Sequence, residues 1–263
     1  MKINANGIEQ FYELSGKPGA PVVVLSHSLS SSNMMWAPQL IQLEEHFQVL
    51  RYDVRGHGRS GVPLGEYSLS QLAVDVIGLL DALAIEHVHF VGLSMGGMIA
   101  QTLALQYSQR LCSVALCDTM ARIPVSTQAA WTQRIEAAQR DGMASLAEAT
   151  ITRWFSADFI AKNPPILQQI KQQICMTPVA GFIGCCHAIS RLDQLEQLAS
   201  ISLPVLIMVG DRDPATPPAE AAAMHAQITD SHLVTLEGAL HLSNVEQATV
   251  FNQRLLQFLL RQL

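Results

Sequence analysis

Ser94 lies in the stretch VGLSMGGMIA, residues 91–100, where three glycines flank one serine in a chain otherwise rich in bulky apolar residues. Gly92 and Gly96 stand two positions before and two after it. A strand that turns sharply into a helix crowds those two positions, and glycine removes the Cβ atoms that would clash. The turn strains the serine backbone and projects its hydroxyl from the sheet edge. It also places that hydroxyl at a helix N-terminus, where free N–H groups suit an oxyanion. The chemistry predicted is attack by Ser94 on an acyl carbon. The same glycines would serve a plain turn that packs a helix close to a strand. A phosphate-binding loop would need a Gly-Lys-Ser/Thr ending, which is absent.

A serine hydroxyl needs a base, and the base needs an orienting partner. When the nucleophile sits on such a turn, acid and base follow it in the chain at later strand ends. The first such end reads Gly210-Asp211-Arg212-Asp213-Pro214-Ala215-Thr216-Pro217, with two candidate acids. Asp213 is preferred because it lies further out in a loop stiffened by prolines; Asp211 could pair with Arg212, cap the turn, or replace Asp213 as the acid. The next end, Glu237 to Asn244, carries His241 just before the last helix. Of the nine histidines it alone has the required placement. His27, His57, His87, His89, His187, His225 and His232 read as turn, strand or surface residues, and His46 as a helix-end cap. No HExxH or comparable pairing suggests a metal, so neither metal nor cofactor is expected. A second oxyanion donor must come from another loop. The small residues of His27-Ser28-Leu29-Ser30-Ser31-Ser32-Asn33 permit close approach, and the backbone N–H groups of Leu29 and Met95 are assigned as the donors.

The elements that must position these groups follow from periodicity. Strands are expected at 21–28, 48–56, 87–94, 111–119, 203–211 and 231–238, and helices at 35–47, 67–85, 95–109, 218–228 and 245–260. The 67–85 helix carries Leu72, Val76, Leu79, Leu80 and Leu83 on one stripe, with Ser68 or Ser70 as its N-cap. Alternation of this kind forces a mainly parallel sheet with helices on both faces. From Met120 to Gln197 it stops, and only helical segments are evident. A helical block inserted into such a sheet is most simply a cap over the strand ends where ligands bind. Residues 1–119 and 198–263 are therefore expected to form the core and 120–197 the cap.

Of the 263 residues, 49% are hydrophobic and 14% charged, which excludes a disordered chain. The net charge of -6 is spread out, and no Lys/Arg-rich run points to nucleic acid or an anionic membrane. The five cysteines are odd in number and include the adjacent pair Cys185 and Cys186, a poor fit to disulfide geometry. Read as reduced thiols, and with no apolar leader in the first residues, they imply a cytoplasmic protein. Oligomeric state is not fixed by the sequence.

Four motifs together, GLSMGG, RYDVRGHGRS, GDRDPATPP and the HLSN loop, resemble the α/β-hydrolase superfamily over almost the whole chain. The RYDVRGHGRS stretch is a structural turn signature there. Within the superfamily, LSHSLSSSNMMW (25–36), LCDTMARI (116–123), WTQRI (131–135), TRWF (152–155) and GCCHAISRLDQLEQLASISLPVLIMVGDRDPATPP (184–218) look like the 3-oxoadipate enol-lactonases. The resemblance implies an α/β-hydrolase fold and a small-molecule enol-lactone substrate, in the β-ketoadipate route of aromatic catabolism. One departure is His27-Ser28, where many members carry His-Gly. The implied substrate carries a carboxylate arm. Arg134 is the cap residue chosen to neutralise it, with Trp131 on the same helical face; Arg153, beside Trp154, is the second choice. Each Arg–Trp pair could equally be a surface stack that anchors the cap. A general carboxylesterase, a cofactor-free haloperoxidase-type hydrolase, a carbon–carbon bond hydrolase and a slow-turnover receptor of the same fold are the alternatives.

Overall fold

The computed structural model describes residues 1–263. Eight strands form one sheet: β1 (Lys2–Ala5), β2 (Ile8–Gly16), β3 (Val22–Ser26), β4 (Gln48–Tyr52), β5 (Val88–Leu93), β6 (Leu111–Cys117), β7 (Val205–Gly210) and β8 (Ser231–Leu236). Their order is β1-β2-β4-β3-β5-β6-β7-β8. β2 runs antiparallel to both its neighbours, β1 and β4, and every pair from β4 across to β8 is parallel. The order reverses between β3 and β5, so a crevice opens beyond the carboxyl ends of those two strands. Every residue of β5 and β7 is buried, which is why they read as unbroken apolar runs.

The helices are α1 (Leu40–Glu44), α2 (Leu69–Ala82), α3 (Met95–Gln106), α4 (Gln128–Asp141), α5 (Ala147–Trp154), α6 (Ala157–Lys162), α7 (Pro165–Met176), α8 (Val179–Ser190), α9 (Pro218–Gln227), α10 (Ser243–Glu246) and α11 (Ala248–Leu260). α2 is capped by Ser68, whose Oγ accepts from the Gln71 N–H. α4 to α8 follow one another between β6 and β7 with no strand among them. Their entry and exit meet at a bridge between Arg122 and Asp193, where the Ile123 N–H donates to Leu192 O (2.9 Å) and the Gln194 N–H to Ala121 O (2.8 Å). Trp154 and Phe182 of this segment belong to the same continuous apolar core as Phe90 and Leu116 of the sheet. No single helix is long and apolar enough to cross a membrane.

Three expectations need correction. Residues 2–16, to which periodicity assigned nothing, form the β1–β2 hairpin around Asn6-Gly7, both at positive φ. The helix expected at 35–47 is a 3₁₀ run at Asn33–Gln39 followed by the short α1. Pro38 lies inside that run and has no N–H to continue α-type bonding. The final helix breaks at Gln247 (φ -120) into the short α10 and the longer α11.

Candidate active site

Ser94 follows β5 and precedes α3, with φ 56 and ψ -116, a conformation that costs a non-glycine residue on the order of 1–3 kcal/mol. A Cβ on Gly92 would stand 2.1 Å from Gly96 O, and one on Gly96 2.2 Å from Ser26 O, so no larger residue fits either place. The strained backbone is held by three hydrogen bonds. Ser94 N–H donates to Cys117 O (2.9 Å), and Ser94 O accepts from the Met98 N–H (3.1 Å) and the Thr119 hydroxyl (2.8 Å).

Ser94 Oγ lies 2.9 Å from His241 Nε2, and His241 Nδ1 lies 2.8 Å from Asp213 Oδ2. Asp213 and His241 are buried and Ser94 is 9% exposed. Asp211, the other candidate acid, turns away: its Oδ1 accepts from the Gly238 N–H at 2.8 Å. The loop chemistry decides between them. Asp213 Oδ1 accepts from the N–H groups of Ala215 (2.7 Å) and Thr216 (3.1 Å), which locks the carboxylate plane. Its Oδ2, shared by His241 Nδ1 and the Thr216 hydroxyl (2.6 Å), faces the base. Burial works to raise the Asp213 pKa, but the charge of His241 and the bonds from His241 and Thr216 outweigh it and hold the carboxyl below its ordinary value.

His241 is aligned from both sides. The Leu240 N–H donates to Glu246 Oε2 (2.8 Å) and the Leu242 N–H to Trp154 O (3.3 Å). Glu246 Oε1 also accepts from the Ser156 N–H (2.9 Å), so one carboxylate ties the histidine loop to the end of α5. Beneath the triad, Asp118 ends β6 at φ 42, accepting from the Gly210 N–H (2.9 Å) and from the Ser243 hydroxyl. It is fully buried; desolvation first, and the Asp213 charge second, push its pKa well above the carboxylate range.

The loop after β3 is organised by two histidines that the sequence reading treated as ordinary. The Val54 N–H donates to His27 Nε2 (2.9 Å) and the Ser30 N–H to His57 Nε2 (3.0 Å). Each ring therefore carries its proton on Nδ1, which donates to Ser28 O from His27 and to Arg55 O from His57. Burial lowers their pKa values to about 4 and about 3, so both stay neutral, as acceptors must. Ser30 sits at φ 61, and the Leu29 N–H between these anchors donates to no protein group. The Met95 N–H opens α3 and has no intrahelical acceptor.

Ser94, His241 and Leu29 border a cavity of about 410 Å³ whose lining also includes Trp131, Arg134, Arg153 and Trp154. The Trp154 ring centroid is 6.2 Å from that of His241. Arg134 lies 4.7 Å from the Trp131 ring centroid, on the shared face expected from their spacing. A hydroxyl that borders the cavity, an imidazole and carboxylate in line, and unused N–H donors beside an apolar cavity are the parts that acyl transfer needs. No group of three or more His, Cys, Asp or Glu side chains is arranged to hold a metal ion.

Of the groups sequence reasoning singled out, Ser94, His241, Asp213, Leu29, Trp131, Arg134 and Trp154 meet around this cavity or its hydrogen-bond line, with Met95 directly behind Ser94. Thr216, Glu246, Asp118, His27 and His57 were not foreseen. Thr216 had a signal, since a hydroxyl three residues after an Asp in a proline-flanked turn commonly bonds back to it.

The sequence profile of the alpha/beta hydrolase fold family matches residues 21–248. The chain is 38% identical over 253 residues to 3-oxoadipate enol-lactonase 1 of Acinetobacter baylyi, covering 96% of this chain and 94% of that one. Among solved structures it is similar to the enol-lactonase of Burkholderia xenovorans LB400, with 39% identity, TM-score 0.95, and coverage of 98% and 99% of the two chains. It is also similar to a thermophilic esterase of Thermogutta terrifontis with malate bound, with 30% identity, TM-score 0.93, and coverage of 100% and 99%.

Proposed function

Since the chain belongs to the alpha/beta hydrolase family, we propose that it is a serine hydrolase that opens the ring of 3-oxoadipate enol-lactone to give 3-oxoadipate. The observation that carries the reading is the unbroken hydrogen-bond line from Ser94 Oγ through His241 to Asp213 at the floor of an apolar cavity. The substrate is supported by the similarity to two enol-lactonases at 38% and 39% identity. It is supported too by Arg134, a guanidinium facing the cavity with no carboxylate beside it.

Ser94 Oγ attacks the ring carbonyl while His241 Nε2 takes its proton. Asp213 holds the proton on Nδ1 and stabilises the imidazolium that forms. The oxyanion is received by the N–H groups of Leu29 and Met95. Collapse breaks the ring C–O bond and expels an enolate, a better leaving group than an alkoxide. The imidazolium of His241 passes the proton it took to the enolate, which becomes a ketone; this makes ring closure unfavourable and leaves His241 a base again. A water deprotonated by His241 then attacks the acyl-serine, releasing the carboxylate and restoring Ser94. No cofactor or metal enters any step. In this reading residues 120–197 are the cap that sets the substrate and 1–119 with 198–263 the hydrolase core. The site of action is the cytoplasm, within aromatic catabolism.

A second reading, a carboxylesterase of broader scope, is supported by the likeness to the malate-bound esterase. One experiment separates them. Purified protein is mixed with the enol-lactone and the loss of its ultraviolet absorbance is followed, with aryl esters in parallel. Fast multiple turnover of the lactone, reduced roughly 10⁶-fold in Ser94→Ala, is expected. Rapid cleavage of aryl esters with the lactone untouched would transfer the assignment to the esterase reading. Activity retained in Ser94→Ala would remove the serine mechanism altogether.

A further inference from the structure

Two cations in the cavity wall, Arg134 and Arg153, make no salt bridge within the protein. Arg134 on α4 lies against the rings of Trp131 (4.7 Å) and Phe182 (5.9 Å). Burial, and after it the positive charge of Arg153, lowers its pKa to about 10, and no carboxylate acts on it. Arg153 on α5 has a buried Nε without a hydrogen-bond partner. Elsewhere this chain pairs the guanidinium groups it withdraws from water: Arg55 meets Asp75 at 2.6 Å and Arg51 meets Glu13 at 2.7 Å. Two unpaired like charges in an apolar wall oppose folding and favour anything negative that enters between them.

The two are not equivalent. Arg153 feels the Asp213 charge and directly precedes Trp154, whose ring flanks His241, so it stands at the triad end of the cavity. Arg134 feels no triad charge and lies against Trp131 and Phe182. A lactone with one carboxylate arm satisfies one of them. Ring opening and deacylation create a second carboxylate, on the carbon that Ser94 held.

We propose that the cavity is a two-carboxylate site, in which Arg134 takes the distal carboxylate and Arg153 the one at the reacting end. Its ligand class is linear dicarboxylates of about six carbons, each end held by a charge-assisted, fork-like contact. The proposal rests on the lactonase reading only in counting the enzyme's own product among these ligands. That product then inhibits competitively.

The test is inhibition of neutral aryl-ester hydrolysis by adipate, hexanoate and monomethyl adipate at one ionic strength near neutral pH. Adipate is expected to inhibit about tenfold or more tightly than either monoanion. Arg134→Met and Arg153→Met are each expected to bring the adipate-to-hexanoate ratio close to one. Equal inhibition by adipate and hexanoate in the unaltered enzyme overturns the proposal, as does an undiminished ratio in Arg153→Met. Should a methionine variant fail to fold, Arg153→Lys is expected to give an intermediate ratio, and an unchanged one overturns the role of Arg153. The lactonase reading fails separately: adipate preference without lactone turnover sinks that reading alone, and lactone turnover without adipate preference sinks this one alone.

Discussion

Replacing Asp213 by Asn tests how the triad is held, because the loop dictates which way the amide must face. Asp213 Oδ1 accepts two backbone N–H groups, from Ala215 and Thr216. The asparagine oxygen must stay there, since an NH₂ group in that place would confront two donors. The NH₂ then points at His241 Nδ1 and can only donate to it. That forces the imidazole proton onto Nε2, facing Ser94 Oγ, where the ring can no longer act as a base. The flipped amide would restore the useful tautomer but would leave two backbone donors unsatisfied. At about 1–3 kcal/mol each, the flip costs about 2–6 kcal/mol, so the competent fraction is on the order of 10⁻² to 10⁻⁴. Loss of the negative charge beside the imidazolium lowers the rate further. kcat for Asp213→Asn is therefore expected to fall about 10³–10⁴-fold with thermal unfolding little changed. The measurement is initial rates on the enol-lactone and on an aryl ester, so that the outcome does not depend on the substrate assignment. Asp211→Asn is the control: its oxygen still accepts from the Gly238 N–H, and kcat should change by less than about threefold. A loss under about tenfold in Asp213→Asn, or a greater loss in Asp211→Asn, would refute the reasoning.

Three further outcomes follow from the site. Arg134→Ala should lower kcat/KM for the carboxylated lactone by about 10- to 100-fold, mostly through KM, and to a smaller extent for a neutral ester; equal losses on both would rule out a charge-recognition role. Asp118 has its pKa raised by burial, so its folded-state contribution is complete below its unfolded value near 3.8 and is lost as pH rises through the folded one. Asp118→Asn keeps the neutral shape, and its stability relative to the parent, read from urea midpoints, should improve from pH 4.5 to pH 8; a pH-independent difference would contradict this. Glu246→Ala removes the acceptor shared by Leu240 and Ser156 and should reduce kcat about tenfold and stability by about 1–3 kcal/mol. An unaltered kcat and melting temperature would show that the link between the histidine loop and α5 is dispensable.

The sequence alone determined the sharp turn at Ser94, the parallel core and the strand ends that carry Asp213 and His241. Each depends on residues a few positions apart: glycines two away from Ser94, apolar runs in β5 and β7, a proline-stiffened loop after β7. Even the overlooked β1–β2 hairpin had a local signal in Asn6-Gly7. Tertiary structure decided the rest. That Asp213 and not Asp211 meets His241 follows from which backbone N–H groups each carboxylate accepts, and those of Gly238 and Thr216 lie on different loops. Asp118 meets Ser243 across 125 positions, and Glu246 reaches Ser156 across 90. The solitude of Arg134 and Arg153 in the cavity wall is likewise a property of what the fold places near them. Sterics and periodicity act over a turn or a strand and are written in adjacent residues. Pairing, burial and charge balance are sums over neighbours that only the folded chain brings together.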